Sequence, residues 1–317
     1  MPRDIAGPPL LPFGSPARVG MLEGPTMGTT WRASLVVQDE RSLIAHRVAI
    51  EELLAMLVDD LSNWEPASAL SRFNRSPIDA WQALPVSLIA VLVEAGRVHA
   101  GSGGAFDPTV ARAVSSWGFG PDDASIGSTT GFEHIAVDAL HRRARRREDV
   151  VVDLCGIAKG HAVDCVSRLL IARGAAHHLV EIGGELRGSG VKPDGMPWWV
   201  ALEAPPDVEL DETVAALHGL SIATSGDYRH FIDRDGRRRA HTIDPATHEP
   251  VIDAPASVTV LHADCMTADA EATAITVLGA VDGVAYATAR GLAVRIIERT
   301  LQGPLVRHTP AFAAMLA

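Results

Sequence analysis

The chain has 317 residues, 47% of them hydrophobic and 21% charged, with a formal net charge of −11. That length and balance allow a sizeable core in one large or two ordinary domains, while the acidic surplus argues against generic nucleic-acid binding. An acidic protein that handles a phosphate substrate needs a local basic group or a metal at its site.

Taken in chain order, residues 1–18 are rich in Pro and Gly and read as a loose extension, followed by a single domain over 19–317. MGTTWRASLVV (27–37) alternates and is β-branched, which predicts a strand. Residues 40–62 predict a helix whose apolar stripe is Leu43, Val48, Leu53, Leu54, Leu57 and Leu61. A second helix starts after Pro85 and stops at Gly101, Gly103 and Gly104. HRRARRR (141–147) reads as a solvated hairpin tip or loop. VVVDL (150–154) predicts a short strand that runs through GIAKG into a helix ending at Gly174. Residues 178–190 predict a strand broken at Gly183-Gly184, read as a bulge, and 198–204 predict another strand. Residues 231–244 predict a hairpin turning at Asp235-Gly236. A strand at 256–263 feeds a short helix over CMTADAEATA (265–274), and LAVRIIE (292–298) closes the sheet. Helices and strands are mixed without a dividing linker, so the expected class is α+β.

Compartment cues are few. Cys155, Cys165 and Cys265 lack metal-type pair spacing and read as reduced thiols. In the first twenty residues Pro8, Pro9, Pro12 and Pro16 break up what hydrophobicity there is and no long apolar run forms, and LIAVLV (88–93) is too short to span a bilayer. The expectation is a cytoplasmic protein without signal peptide or membrane anchor.

Several stretches could carry chemistry. Asp269 and Thr273 lie one helical turn apart on one face; the pair is either a local hydrogen bond or two oxygen ligands for a hard cation. In VDLCGIAKG (152–160) an acid, Asp153, ends the strand, Gly156 permits a sharp turn, and Lys159 opens a helix whose start favours anions. This is not a Walker motif, and alone it could be a plain strand–helix turn. TSGDY (224–228) by itself reads as a capped turn. His177-His178 lacks ligand-spaced partners for zinc, and no Gly-x-Ser-x-Gly elbow is present.

Together and in this order, MGTTW, LSNWEPASALSRFN (61–74), GAFDPTVARAVSSWGFGP (104–121), VDLCGIAKGHAVD, VEIGGELRGSG, IATSGDYRHF, HTIDPATHEPV and SVTVLHADCMTADAEATA form a series that resembles the ApbE-like FAD:protein FMN transferases over about residues 19–300. The resemblance implies a single α+β unit of T-fold type. It implies an enzyme that takes FAD with Mg²⁺, Mn²⁺ being the alternative, at the pyrophosphate. A Thr or Ser hydroxyl of an acceptor flavoprotein domain attacks the FMN-side phosphorus; AMP leaves and FMN stays on the target through a phosphoester. The metal ligands implied are Asp269, Thr273 and the Gly156 carbonyl, an oxygen set that suits an octahedral hard cation. The FAD-binding positions implied are Met27, Trp64, Ala105, Phe106, Asp107, Asp153, Lys159 and Ile243. His241 and Asp269 are the catalytic residues, His241 handling a proton or charge, with Asp227 and the TSGDY hydroxyls shaping the same pocket. Trp64 replaces the family's common Tyr, His248 replaces a Gly, and Gly183-Gly184-Glu185 stands where GGD is usual. The alternatives are a Mg²⁺-dependent FAD pyrophosphatase and a flavin carrier without turnover.

Overall fold

A computed structural model describes residues 17–121, 129–234 and 237–316. Eight strands form its main sheet: β1 (Arg18–Thr26), β2 (Thr29–Val37), β3 (His178–Ile182), β4 (Glu185–Ser189), β5 (Leu220–Gly226), β6 (Ser257–His262), β7 (Ala293–Thr300) and β8 (Gly303–His308). They lie side by side in chain order, and every pairing is antiparallel. The α+β class is as expected.

Two tight hairpins set one end of the sheet. Thr26 pairs with Thr29, so Met27-Gly28 is a two-residue turn, with φ of 46° and 70°. Both signs are those of a type I′ turn, whose twist matches the strands it joins. Ile182 pairs with Glu185 around Gly183-Gly184, with φ of 61° and 105°. The expected bulge is therefore a hairpin turn. The first strand was not foreseen; Arg18, assigned to the extension, already lies in it, and residues 1–16 lie outside the described residues. The small hairpin 231–240 is present as Phe231–Arg234 paired with Arg237–Ala240; its expected Asp235-Gly236 turn lies outside the described residues.

One face of the sheet carries α1 (Glu40–Leu61), α2 (Ala69–Asn74), α3 (Val86–Gly101), α5 (Ala158–Ala172) and α6 (Cys265–Ala289), which pack on it directly or on one another, while the short α4 (Ala111–Ser116) lies between α3 and α5 in the chain. Helix α1 begins where Asp39 Oδ1 accepts from the Ser42 N–H at 2.8 Å. Its buried stripe is Leu43, His46, Ile50, Leu54, Leu57 and Leu61. Val48, expected in the stripe, is 48% exposed, and Leu53 is only half-buried. The 3.6-residue period puts Ile50, not Val48, on the Leu43–Leu54 line.

The alternation along β5, β6 and β7 sorts residues cleanly. Ala223, Val258, Val260, Val294 and Ile296 face α6, while Ile222, Leu261 and Ala293 join Trp198, Leu217 and Phe312 on the outer face. That outer face is covered by the hairpin Trp198–Ala201/Val214–Leu217 and by α7 (Pro310–Ala313).

Three expectations change. Residues 150–154 are not a strand: Val150, Val152, Asp153 and Leu154 are buried, and only the half-buried Val151 makes an isolated parallel bridge, to Val110. The basic run is a solvated tip only in part: His141 and Arg142 are the exposed turn of a hairpin, but Arg143–Arg146 is a strand paired with Ile135–Asp138, Ala144 is fully buried, and Arg146 donates to the Val150 carbonyl at 2.8 Å and to that of Ser76. The strand at 293–300 does not close the sheet, because β8 lies beyond it.

The helix at 265 is also longer than expected, and it doubles back. Gly279 has φ 78° and ψ 175°, outside any helix. Tyr286 Oη donates to Glu271 Oε2 at 2.6 Å, although fifteen residues of straight helix would separate them by about 22 Å. A Cβ on Gly283 would stand 3.1 Å from the Ile275 carbonyl oxygen. Residues 265–278 and 280–289 are therefore two arms of a helical hairpin. Cys265–Ala289 is the one helix among the described residues long and apolar enough by composition to cross a membrane, but it folds back at Gly279.

Candidate active site

The site forms where α5 starts, α6 crosses it, and the two hairpin turns of the sheet meet them. Asp164, on α5, receives the N–H groups of Cys265 at 3.1 Å and Met266 at 3.0 Å, and Arg187 at 3.0 Å. A buried carboxylate thus holds the first turn of α6 against α5, where it also complements the positive helix end. Gly160 makes the crossing possible: a Cβ there would lie 2.4 Å from the Cys265 carbonyl oxygen. The close approach brings Asp269 Oδ2 to the Gly160 N–H at 3.0 Å. That first-turn N–H of α5, which the sequence offers to an anionic ligand, is already directed at Asp269.

Lys159 Nζ lies 2.8 Å from Glu185 Oε1, the first residue after the Gly183-Gly184 turn. Burial disfavours the Lys159 ammonium, yet the charges of Asp269 and Glu185 outweigh burial and hold its pKa above the ordinary lysine value. Burial pushes Glu185 up to about 7 against the pull of Lys159, and Asp269 adds to that rise. Burial likewise raises Asp269, against Lys159 and the Gly160 N–H. Glu185 Oε2 is buried without a hydrogen-bond partner.

The implied metal site fits the residues present. Thr273 Oγ1 donates to the Asp269 carbonyl at 3.3 Å, which leaves its lone pairs available. A Cβ at Gly156 would stand 3.0 Å from Thr273 Oγ1 and 3.5 Å from Phe106 Cε2. Only a residue without a side chain keeps this cradle open. Among the described residues no three His, Cys, Asp or Glu side chains gather as a metal cluster. The donor set is one carboxylate with neutral oxygens, which suits a hard cation that shares its coordination with substrate phosphates.

Around this centre, Phe106 is held by its N–H to Ser102 Oγ at 3.0 Å, and His99 Nδ1 donates to its carbonyl at 3.0 Å. Asp107 Oδ1 accepts from Thr109 N at 2.8 Å and Oγ1 at 2.6 Å. The Asp153 N–H donates to the Pro108 carbonyl at 2.6 Å, which lays the 105–108 segment along 152–156. Met27 belongs to the turn beside the centre: a Cβ on Gly183 would lie 2.9 Å from Thr29 and 3.3 Å from Lys159 Cδ. Trp64 is 56% exposed, and its neighbour Asn63 is 4.0 Å from Cys155 Sγ.

His241 Nδ1 is 3.1 Å from the His230 carbonyl, and Phe119 meets its ring edge-on at 6.3 Å. A carbonyl only accepts, so Nδ1 carries the proton and Nε2 is a free base. Burial drives the His241 pKa down to about 4, and the charges of His230 and Lys159 add to the fall. The ring is neutral at physiological pH. Ile243 is buried and bridges to Pro250.

The ApbE family profile matches residues 27–296, a span that contains every one of these groups. The chain belongs to the ApbE family. It is 37% identical over 304 residues to the FAD:protein FMN transferase of Vibrio cholerae, covering 91% of this chain and 90% of the relative. It is 34% identical to that of Escherichia coli K12, covering 94% and 89%. The apo flavinyl transferase ApbE of Pseudomonas stutzeri superposes with a TM-score of 0.86 at 34% identity, over 94% of this chain and 97% of that one.

In this ApbE-family chain the structure gathers Gly156, Lys159, Asp269, Thr273 and Phe106 at one centre, with Asp107 and Asp153 in the adjoining segments. The TSGDY hydroxyls do not act together: Thr224 points to the outer face and bonds Thr259 Oγ1 at 3.0 Å, while Ser225, one residue on, lies on the opposite face. Asp227 is tied at 2.7 Å to Arg299. Sequence reasoning did not place Glu185, Asp164 or Phe119 in the site. The one available signal was Glu185 itself, an acid directly after a double glycine.

Proposed function

We propose that this chain is a Mg²⁺-dependent FAD:protein FMN transferase that moves FMN from FAD to a Thr or Ser of an acceptor flavoprotein domain. The observation that supports it best is the open cradle between Gly156 and Thr273 beside the buried Asp269, next to a lysine at a helix start, in a chain of the ApbE family.

Asp269, Thr273 Oγ1 and the Gly156 backbone would hold the cation, and Lys159 would meet the phosphates. Bound there, a divalent ion supplies charge neutralisation at the pyrophosphate and on the leaving AMP. Phe106 and Trp64 offer flat apolar surface to the aromatic parts of FAD, Trp64 from its exposed loop. Met27, Ala105, Asp107, Asp153 and Ile243 complete the substrate contacts. The acceptor hydroxyl attacks the FMN-side phosphorus, the bond from that phosphorus to the bridging oxygen breaks, and AMP departs with that oxygen. His241 Nε2, unprotonated because Nδ1 faces a carbonyl, takes the hydroxyl proton.

The test is incubation with FAD, Mg²⁺ and a panel of acceptor domains, read as flavin fluorescence of the acceptor band in a denaturing gel. A fluorescent band that disappears on chelation is expected. Unlabelled acceptors throughout, with rapid release of FMN and AMP, would establish the pyrophosphatase instead.

A further inference from the structure

On the outer face of the sheet, away from Asp269, a buried arginine has been left without a counter-charge. Arg295 is 3% exposed, yet its Nε and Nη1 have no hydrogen-bond partner. Its strand neighbours Val294 and Ile296 face α6, so Arg295 faces the other way. Directly across the strands it pairs with Thr259 on β6 and His308 on β8. Thr259 pairs in turn with Thr224, and the two hydroxyls share a 3.0 Å bond. Ser257, two residues along on the same side of β6, is fully buried, with its hydroxyl toward that of Tyr228.

A buried charge is normally paired, and a buried donor normally finds an acceptor. Among the described residues no carboxylate forms an ion pair with Arg295; Asp207 and Asp227 pair with Arg299, four residues further along the chain, at 2.8 and 2.7 Å. Burial alone lowers the Arg295 pKa, with no opposing charge to offset it. A guanidinium does not relieve this by losing its proton at any physiological pH. What is missing is one negative charge with acceptor capacity. We propose that Arg295, with the hydroxyls of Thr259 and Ser257, forms a binding site for a small, singly charged inorganic anion such as chloride. A dianion would merely reverse the uncompensated charge, and a bulky organic acid would have to displace the covering α7 and its Phe312. His308, exposed and stacked on Phe312 at 4.8 Å, marks the way in from the sheet edge.

Two measurements test this. Crystals of the full chain grown in sodium bromide should show an anomalous peak against Arg295 Nε and Nη1; only water there overturns the site. In solution, wild type should melt a few degrees higher in sodium chloride than in sodium gluconate at equal ionic strength, since an ion that binds only the folded chain stabilises it. Arg295→Met should be at least as stable as wild type in gluconate, because it removes an unpaired buried charge. It should show no response to the swap and should retain flavin transfer. An equal chloride response in Arg295→Met, or bromide in the crystal without any chloride response of wild type, refutes the proposal. Should the variant fail to fold, the bromide and wild-type melting results decide it.

Discussion

Asp269 and Glu271 are two residues apart on the first arm of α6, both buried, and they lead opposite lives. Glu271 is fully exposed to partners and not at all to water: Tyr286 Oη at 2.6 Å, Arg290 at 3.2 Å and Arg97 at 3.8 Å. Its cluster ties the second arm of α6 back onto the first and both onto α3. Asp269 has one N–H, from Gly160, and shares the charge of Lys159 with Glu185, whose second oxygen has no partner. Two buried carboxylates of similar burial thus differ in how completely they are satisfied. A saturated network rigidifies a fold, whereas an under-satisfied one keeps binding capacity in reserve.

The comparison is most exposed to Asp269→Ala. Flavin transfer should fall by about 10³-fold or more, the scale of losing a principal electrostatic element of a site, while the melting temperature holds; a variant that still labels acceptors at the wild-type rate would break the contrast. Glu271→Ala should do the reverse. Breaking a buried pair by removing one partner costs about 3–5 kcal/mol, read by denaturant unfolding, with the transfer rate per folded molecule little changed. Next comes pH. Glu185 is raised to about 7 from 4.5, so between those values the folded chain binds a proton that the unfolded chain has released, and this group's contribution to stability falls as pH rises. Glu185→Gln should remove that downward slope. His241, lowered to about 4 from 6.5, acts with the opposite sign: its contribution is present above 6.5 and is lost as pH falls toward 4. His241→Ala should flatten that acid limb and slow transfer by about 10²-fold or more, the usual scale of general-base loss. The smallest effect belongs to His248, whose φ is 60° and whose Nε2 is 3.1 Å from Thr130 Oγ1. In His248→Gly, relief of a left-handed conformation offsets a lost hydrogen bond, each worth about 1 kcal/mol, so the unfolding free energy should barely move.

Much of the fold was legible because its signals are local. Asp39, the leucines of α1, Pro85 ahead of α3 and the glycines after it mark helices by capping and period alone. The candidate site reads in the sequence as an ordered series of short blocks; helical spacing put Asp269 and Thr273 on one face but left open whether they form a local hydrogen bond or a pair of ligands. What stayed hidden depends on contacts between distant segments. VVVDL has strand composition, but only Val151 finds a strand-like partner, across from Val110. Glu185 looks like a surface acid until the Gly183-Gly184 turn sets it beside Lys159. The reversal at Gly279 was missed because an isolated glycine in an apolar helical stretch does not announce a turn. Thr224 and Ser225 looked like one hydroxyl cluster because adjacency in sequence is not adjacency on a strand.

The eight-stranded meander has a consequence for biogenesis. Each strand lies next to the one made before it, so a chain emerging from the ribosome never has to insert a segment between two neighbours already zipped together. The sheet can grow vectorially from the Arg18 edge toward the His308 edge, with the helical insertions folding down behind the advancing front. Asp269 reaches Gly160 only after six of the eight strands exist, so the candidate site is among the last parts of the molecule to be assembled.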